Sequence, residues 1–220
     1  MKINLSDLLV FEKLLNSLAL DLREAWIHYK LFSDLNDSIP EYKRELNQSP
    51  AFWELTINSH LENSLFRLCR VYDQHKESLN LKNLLKAMLV QINREDSDEN
   101  REENDSKFAF KNKLDEIDKN QLKFDIDFFV EKENEIVKKL VIWRNNKFAH
   151  QNVKTITGKI DIFQRYSMTY KELEILFRRG MEIVNRYSSL LFNSSFSINM
   201  SGQNDFKDVL ESVRQRLSPI

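Results

Sequence analysis

The stretch Ile136-Val137-Lys138-Lys139-Leu140-Val141-Ile142-Trp143-Arg144-Asn145-Asn146-Lys147-Phe148-Ala149-His150 places apolar side chains at every third or fourth position. That is the period of a helix burying one side. At about 100° per residue, Val137 lies about 20° and Phe148 about 40° to one side of Arg144, and Leu140 about 40° to the other. Arg144 therefore projects from the centre of the apolar arc, and His150 sits at its edge, about 120° away. A guanidinium placed there must meet a carboxylate, reach water in a cleft or face an anionic ligand, because an isolated buried charge costs many kcal/mol. The stretch reads as the last turns of a long helix from Asp127 to Ala149.

The same period recurs along the chain. Ser6-Asp7 reads as the cap of a helix to about Asp34, with Leu8, Phe11, Leu15, Leu18 and Leu22 on its buried side. Asn36 to Ser49 breaks it. Ser49-Pro50 starts a second helix, Pro being suited to the first helical position, with a stripe of Ile57, Leu61, Leu65, Leu68 and Tyr72. Leu79 to Ile92 reads as a third. Thr169-Tyr170-Lys171-Glu172 has the capping-box pattern and opens a helix through Leu191. Asp205 to Leu217 reads as a last one. With 3 Gly and 3 Pro in 220 residues, the turns of sandwiches and barrels and the phosphate loops of Rossmann sheets are nearly excluded. The expectation is an all-α chain, an antiparallel four-helix-bundle core with peripheral helices, forming a single domain over residues 1–220. Residues 194–220 are expected to be a peripheral C-terminal segment.

The formal charge of −1 conceals an asymmetry. Residues 94–105 hold 7 acidic and 2 basic side chains and nothing apolar, so residues 94–107 read as a mobile acidic loop. The remainder is mildly basic, which is compatible with an anionic partner. No stretch approaches the ~20 apolar residues of a membrane span, and Met1 to Asp7 turns polar too early for a signal peptide. A lone cysteine, Cys69, suits a reducing cytoplasm and core packing. His28 and His75 read as surface residues at helix ends. The four histidines form no HExxH, and no metal site or cofactor is expected.

Two readings of Arg144 and His150 are open on spacing alone. In one, Arg144 pairs with an acid on a neighbouring helix, and His150 closes the helix C-terminus, where the dipole favours a cation. In the other, both open onto a groove: Arg holds a phosphate by a bidentate pair, and His moves protons at a ribose 2′-hydroxyl or a leaving 5′-oxygen. On the second helix, His60, Asn63, Arg67, Arg70 and Gln74 form a polar stripe. It reads either as a solvated face with helix-pair salt bridges or as a place where Arg67 or Arg70 holds RNA backbone. Lys147, beside Arg144, is a further phosphate contact. Arg178-Arg179 reads as exposed charge.

Arg144, polar Asn145, four intervening residues and His150 resemble the Arg-polar-x4-His signature of HEPN-domain ribonucleases. The ending Lys147-Phe148-Ala149-His150 is similar to the abortive-infection (AbiU-type) branch. So is Arg67-Leu68-x4-Asp73 followed by Ser78-Leu79 and Asn83-Leu84-Leu85. The resemblance spans roughly residues 10–192. It implies a bundle that dimerises through the motif helix to form a composite cleft. It also implies metal-independent RNA cleavage to a 2′,3′-cyclic phosphate and a 5′-hydroxyl. Arg144 then stabilises the phosphoryl group, His150 serves as acid or base, and Asn145 orients one of them or the substrate. A toxin or anti-phage effector with an antitoxin or defence-system partner is the implied setting. A non-catalytic HEPN module that binds nucleotide or RNA, or serves assembly, is the alternative. Some family members carry a Tyr two residues after the His that an antitoxin modifies. This chain has Asn152 there, so that form of control is not implied.

Overall fold

Helix starts in this chain follow side chains that satisfy the first, otherwise unpaired N–H groups. Asn80, Asp118, Asn134 and Thr169 each accept from a backbone N–H two or three residues on. At Thr169 the expected capping box is complete, with Glu172 reaching back to the cap backbone. The computed structural model describes residues 3, 5, 8–93, 105–149, 161–199 and 202–218. The chain is all-α, and no strand occurs among the described residues. Its helices are α1 (Leu8–Ser38), α2 (Lys43–Leu46), α3 (Pro50–Val71), α4 (Leu81–Ile92), α5 (Asp105–Asp115), α6 (Lys119–Phe128) and α7 (Glu135–Trp143). A π-helical turn (Arg144–Ala149), α8 (Ile162–Arg165), α9 (Tyr170–Phe192) and α10 (Asp205–Leu217) complete them.

Several elements differ from the sequence expectation. The first helix continues to Ser38, and the break after it holds the short α2. A helix begins at Asp105, within the stretch read as an acidic loop; residues 94–104 lie outside the described residues, as do Ser6 and Asp7. The single helix expected from Asp127 to Ala149 is divided. Asn134 caps α7 with its Oδ1 while its Nδ2 donates to the Phe128 carbonyl at 3.1 Å, and this local pairing replaces helix continuation. At Arg144 the α ladder gives way to the wider π turn. The rotation of about 100° per residue therefore stops applying at Arg144.

By contact the chain forms two compact units, Met1–Leu22 with Leu68–Phe196, and Arg23–Arg67 with Ser197–Ile220. The first unit buries the expected Phe11, Leu15, Leu18 and Leu22 of α1 together with Leu68 and Tyr72. Phe11 lies between Phe110 and Phe192, each ring centroid 6.2 Å away. The Tyr72 ring packs on Phe129 at 5.0 Å, and its hydroxyl donates to the Leu176 carbonyl at 2.6 Å. Gly180 permits this approach, because a Cβ there would stand 3.1 Å from a Leu22 methyl and 3.3 Å from the Tyr72 hydroxyl.

A buried carboxylate joins α6 to α9. Asp125 is fully buried. Its Oδ1 accepts from Gln121 Nε2 at 3.0 Å and Arg179 Nη2 at 2.7 Å, and its Oδ2 from the Tyr187 hydroxyl at 2.8 Å and from Arg186. Arg179, expected as exposed charge, is instead mostly buried here, while Arg178 is exposed. Arg179 and Arg186 lie seven residues apart, two helical turns, so both face the same acid.

In the second unit, α1 and α3 run antiparallel. Ser64 Oγ donates to the Ala25 carbonyl at 2.8 Å, and one turn away His28 Nδ1 meets His60 Nδ1 at 2.8 Å. His28 is thus half-buried inside α1 rather than at a helix end, while His75 is exposed beyond α3. The C-terminal helix buries Leu210 fully against Tyr42 and Leu46. Arg214 donates to Glu45 at 2.9 Å, to Glu211 at 2.9 Å and to the Glu41 carbonyl at 3.0 Å, with its guanidinium 4.5 Å from the Tyr42 ring centre. The Arg214 hydrogen bond holds the Glu45 carboxyl below its usual range. Donation to Glu211 pushes the Tyr42 hydroxyl up to about 12.

Two outcomes follow from these buried groups. Asp125→Ala, which leaves two guanidinium groups facing a lost partner, is expected to destabilise the protein by about 3–5 kcal/mol in urea denaturation. Burial lowers the affinity of His28 and His60 for protons, Arg67 adding to the effect at His28 and the His28 charge adding to it at His60. Folded values below 6.5 mean that the native state binds fewer protons than the unfolded chain. This contribution is therefore complete above pH 6.5 and is lost as pH falls through the lowered folded values. Melting temperature measured from pH 7.5 to 5 is expected to fall, and less steeply in His60→Gln.

Candidate functional site

The loop between α3 and α4 is built by side chains that replace a helical ladder with local hydrogen bonds. Asn80 Nδ2 donates to the His75 and Ser78 carbonyls at 3.3 and 3.2 Å, and Asn83 Nδ2 donates to the same two at 2.8 and 2.9 Å. Gln74 Nε2 bridges the carbonyls of Tyr72 and Phe129, both at 2.9 Å, and its Oε1 accepts from Lys82. Burial lowers the Lys82 ammonium below its ordinary value. Between these anchors Asp73 is buried, its Oδ1 accepting from His75 N at 3.1 Å. That bond orients the carboxylate and leaves Oδ2 directed elsewhere.

Oδ2 meets Arg144. Arg144 Nη2 donates to it at 3.2 Å, and Arg144 Nη1 donates to Asn145 Oδ1 at 2.9 Å. The Asp73 side chain is 11% exposed and that of Arg144 35%. The guanidinium, which the apolar arc required to find an anion, thus finds a carboxylate and also reaches the surface. Cys69, Tyr72, Leu140 and Val141 line the small recess beside the pair. Burial raises the Cys69 thiol well above its usual range, the Arg144 charge opposing this weakly, and its Sγ faces the Leu140 carbonyl at 4.0 Å. A thiol so protonated packs as a small hydrophobe.

Position of the motif helix is set from α9. Lys139 Nζ donates to Glu172 Oε1 at 2.6 Å, while the other oxygen of Glu172 completes the Thr169 capping box. The Lys139 hydrogen bond holds the Glu172 carboxyl below its ordinary value. Trp143 Nε1 donates to the Tyr166 carbonyl at 2.8 Å. Within the π turn, Asn146 Nδ2 donates to the Ile142 carbonyl at 2.7 Å, meeting an acceptor that the changed ladder rearranges.

The other residues singled out in the sequence fall as follows. Asn145 is exposed on the turn after α7 and contacts Arg144 directly. The backbone of Lys147 belongs to the π turn. His150 lies outside the described residues. Arg70 is exposed and pairs with Asp21 at 3.3 Å. Arg67 belongs to the second unit, is half-buried, and lies within electrostatic reach of His28. Of the residues quoted for the resemblance, the structure brings Asp73 together with Arg144 and Asn145. Asp73 had no assigned role in the sequence reading, although Asp-x-His before an Asn-capped apolar run is a legible turn signal.

Residues 9–211 match the family model HEPN_AbiU2, described as AbiU2. No curated protein and no solved structure matches the chain.

The ion pair makes a specific expectation. Asp73→Asn keeps the acceptor for His75 N and loses only a partly exposed pair, so it is expected to cost about 1 kcal/mol or less. Asp73→Ala also leaves that N–H without its acceptor, and is expected to cost about 1–3 kcal/mol more. Urea denaturation of the two variants side by side measures the difference.

Proposed function

The chain belongs to the AbiU2 family of HEPN domains, and on that premise we propose that it is a metal-independent RNA endonuclease, a toxin or anti-phage effector acting in abortive infection. The observation that carries this reading is the guanidinium of Arg144. It sits half-exposed at the end of the motif helix and is held in orientation by Asp73 and Asn145. Arg144 offers five N–H donors in a planar fork, and two of them serve Asp73 and Asn145. The rest suit a phosphate, whose geometry the fork matches.

In the proposed reaction His150, as base, takes the proton of a ribose 2′-hydroxyl. The 2′-oxygen attacks the adjacent phosphorus and forms the cyclic ester. The 5′-oxygen leaves and takes a proton from an acid, the His150 of a second copy being the candidate in a composite dimer cleft. Arg144 stabilises the charge that builds on the non-bridging oxygens. Asn145 positions the guanidinium, and Lys147 and Arg70 contact the RNA backbone. RNA, a second copy of the chain and an antitoxin or defence-system component are the proposed partners, in the cytoplasm. No helix among the described residues is long and apolar enough to cross a membrane.

A second reading draws on the same ion pair: Arg144, already matched by Asp73, holds RNA or nucleotide without cutting it. RNA digestion by purified protein in EDTA separates the two. Wild type is expected to yield 2′,3′-cyclic phosphate and 5′-hydroxyl ends. His150→Ala and Arg144→Ala are each expected to slow cleavage by at least about 100-fold. Cleavage unchanged in both variants would overturn the assignment. Salt-dependent RNA binding without new ends would favour the binding module.

A further inference from the structure

The second unit contains a groove of about 550 Å³, a size typical of small-ligand sites. One wall is a stretch of α1 with Trp26, Ile27 and Lys30, and the other leads into α10 with Ile198, Gln203 and Asn204. Asn199 adds a third carboxamide. The indole of Trp26 is half-buried and packs on Tyr29, ring centres 5.7 Å apart and planes tilted by 35°. Lys30 is held on the groove wall by Asp34 at 3.2 Å. Gly202, at φ +79°, makes the turn that brings Gln203 and Asn204 to the groove. A Cβ there would come within 2.5 Å of the Asp205 carboxylate, which lines the groove at the start of α10.

These are complementary chemistries for one ligand class. An indole stacks on any base face, and stacking of this kind is tolerant of sequence. Carboxamides carry donor and acceptor together and match the edges of an unpaired base. An ammonium at the margin suits a phosphate. An apolar peptide or a lipid chain would leave three carboxamides buried without partners. We propose that this groove binds a single unpaired ribonucleotide, its base against Trp26 and among the carboxamides of Asn199, Gln203 and Asn204, its phosphate towards Lys30. The site is separate from the Arg144 chemistry and does not depend on cleavage.

Calorimetric titration with the four nucleoside 5′-monophosphates and with a short single-stranded oligoribonucleotide tests it, using wild type, Trp26→Ala, Trp26→Phe, Gln203→Ala and Arg144→Ala. Binding is expected in wild type and Arg144→Ala, about tenfold or more weaker in Trp26→Ala, and largely restored in Trp26→Phe. Gln203→Ala, which removes no core side chain, is expected to weaken binding or alter base preference, and serves if Trp26→Ala does not fold. In Arg144→Ala, where the cleavage site is disabled, an oligoribonucleotide that binds more tightly than any monophosphate identifies an RNA strand as the source. Equal or weaker binding identifies a free nucleotide. Absence of binding in wild type overturns the proposal, as does binding lost in Arg144→Ala yet intact in the Trp26 and Gln203 variants. A cleavage-inactive protein that binds in the groove upholds it, which keeps its fate distinct from that of the nuclease reading.

Discussion

A carboxylate shut away from water must be met by donors on every side, and Asp125 places that condition on the larger unit. Four side chains converge on it, three of them from α9. The position of α6 against α9 is thereby set by charge as well as by apolar contact. α9 in turn passes the constraint onward. Its Leu176 carbonyl takes the Tyr72 hydroxyl, and its Gly180 lets Tyr72 and Leu22 approach. Asp73 follows Tyr72 directly in the chain, so the carboxylate that faces Arg144 is located by a buried network whose centre lies elsewhere.

Arg144 presents the same electrostatic problem with the sign reversed and the burial relaxed. It lies on the apolar side of its helix, yet a third of its side chain is exposed. A partly exposed ion pair adds little to stability, so the worth of Asp73 to this arrangement is orientation. One carboxylate oxygen is tied to the loop backbone and the other to the guanidinium, and Asn145 holds a second corner of the fork. Such a clamp restricts the rotamers of a long side chain before any anion arrives, which reduces the entropy lost when one does. The change from α to π winding begins at this residue. π turns are rare and recur at functional sites, and here the turn separates the geometry of Arg144 from the regular helix that carries it.

Much of the architecture was legible because its signals are local. The Thr169 capping box and the Ser49-Pro50 start appear where short-range chemistry places them, and α10 keeps its expected limits. The buried stripe of α1 follows the 3.6-residue period at Phe11, Leu15, Leu18 and Leu22. Illegible were the features that turn on competition. Asn134 interrupts a helix that periodicity alone would continue, because its amide satisfies both the cap and the Phe128 carbonyl. α5 and α6 are less apolar on average than α1 and α3. The placement of His28 depends on His60, which stands opposite it 32 positions on and leaves no local signal.

Period and caps operate within a few residues, and they suffice for the all-α class and the main helices. Tertiary structure alone decided which charges meet. Asp73 and Arg144 are separated by 71 positions and Asp125 and Arg186 by 61. No local rule assigns one carboxylate among the 34 acidic side chains to one guanidinium. That choice is made only when helices pack, because only then does desolvation make an unmatched charge intolerable.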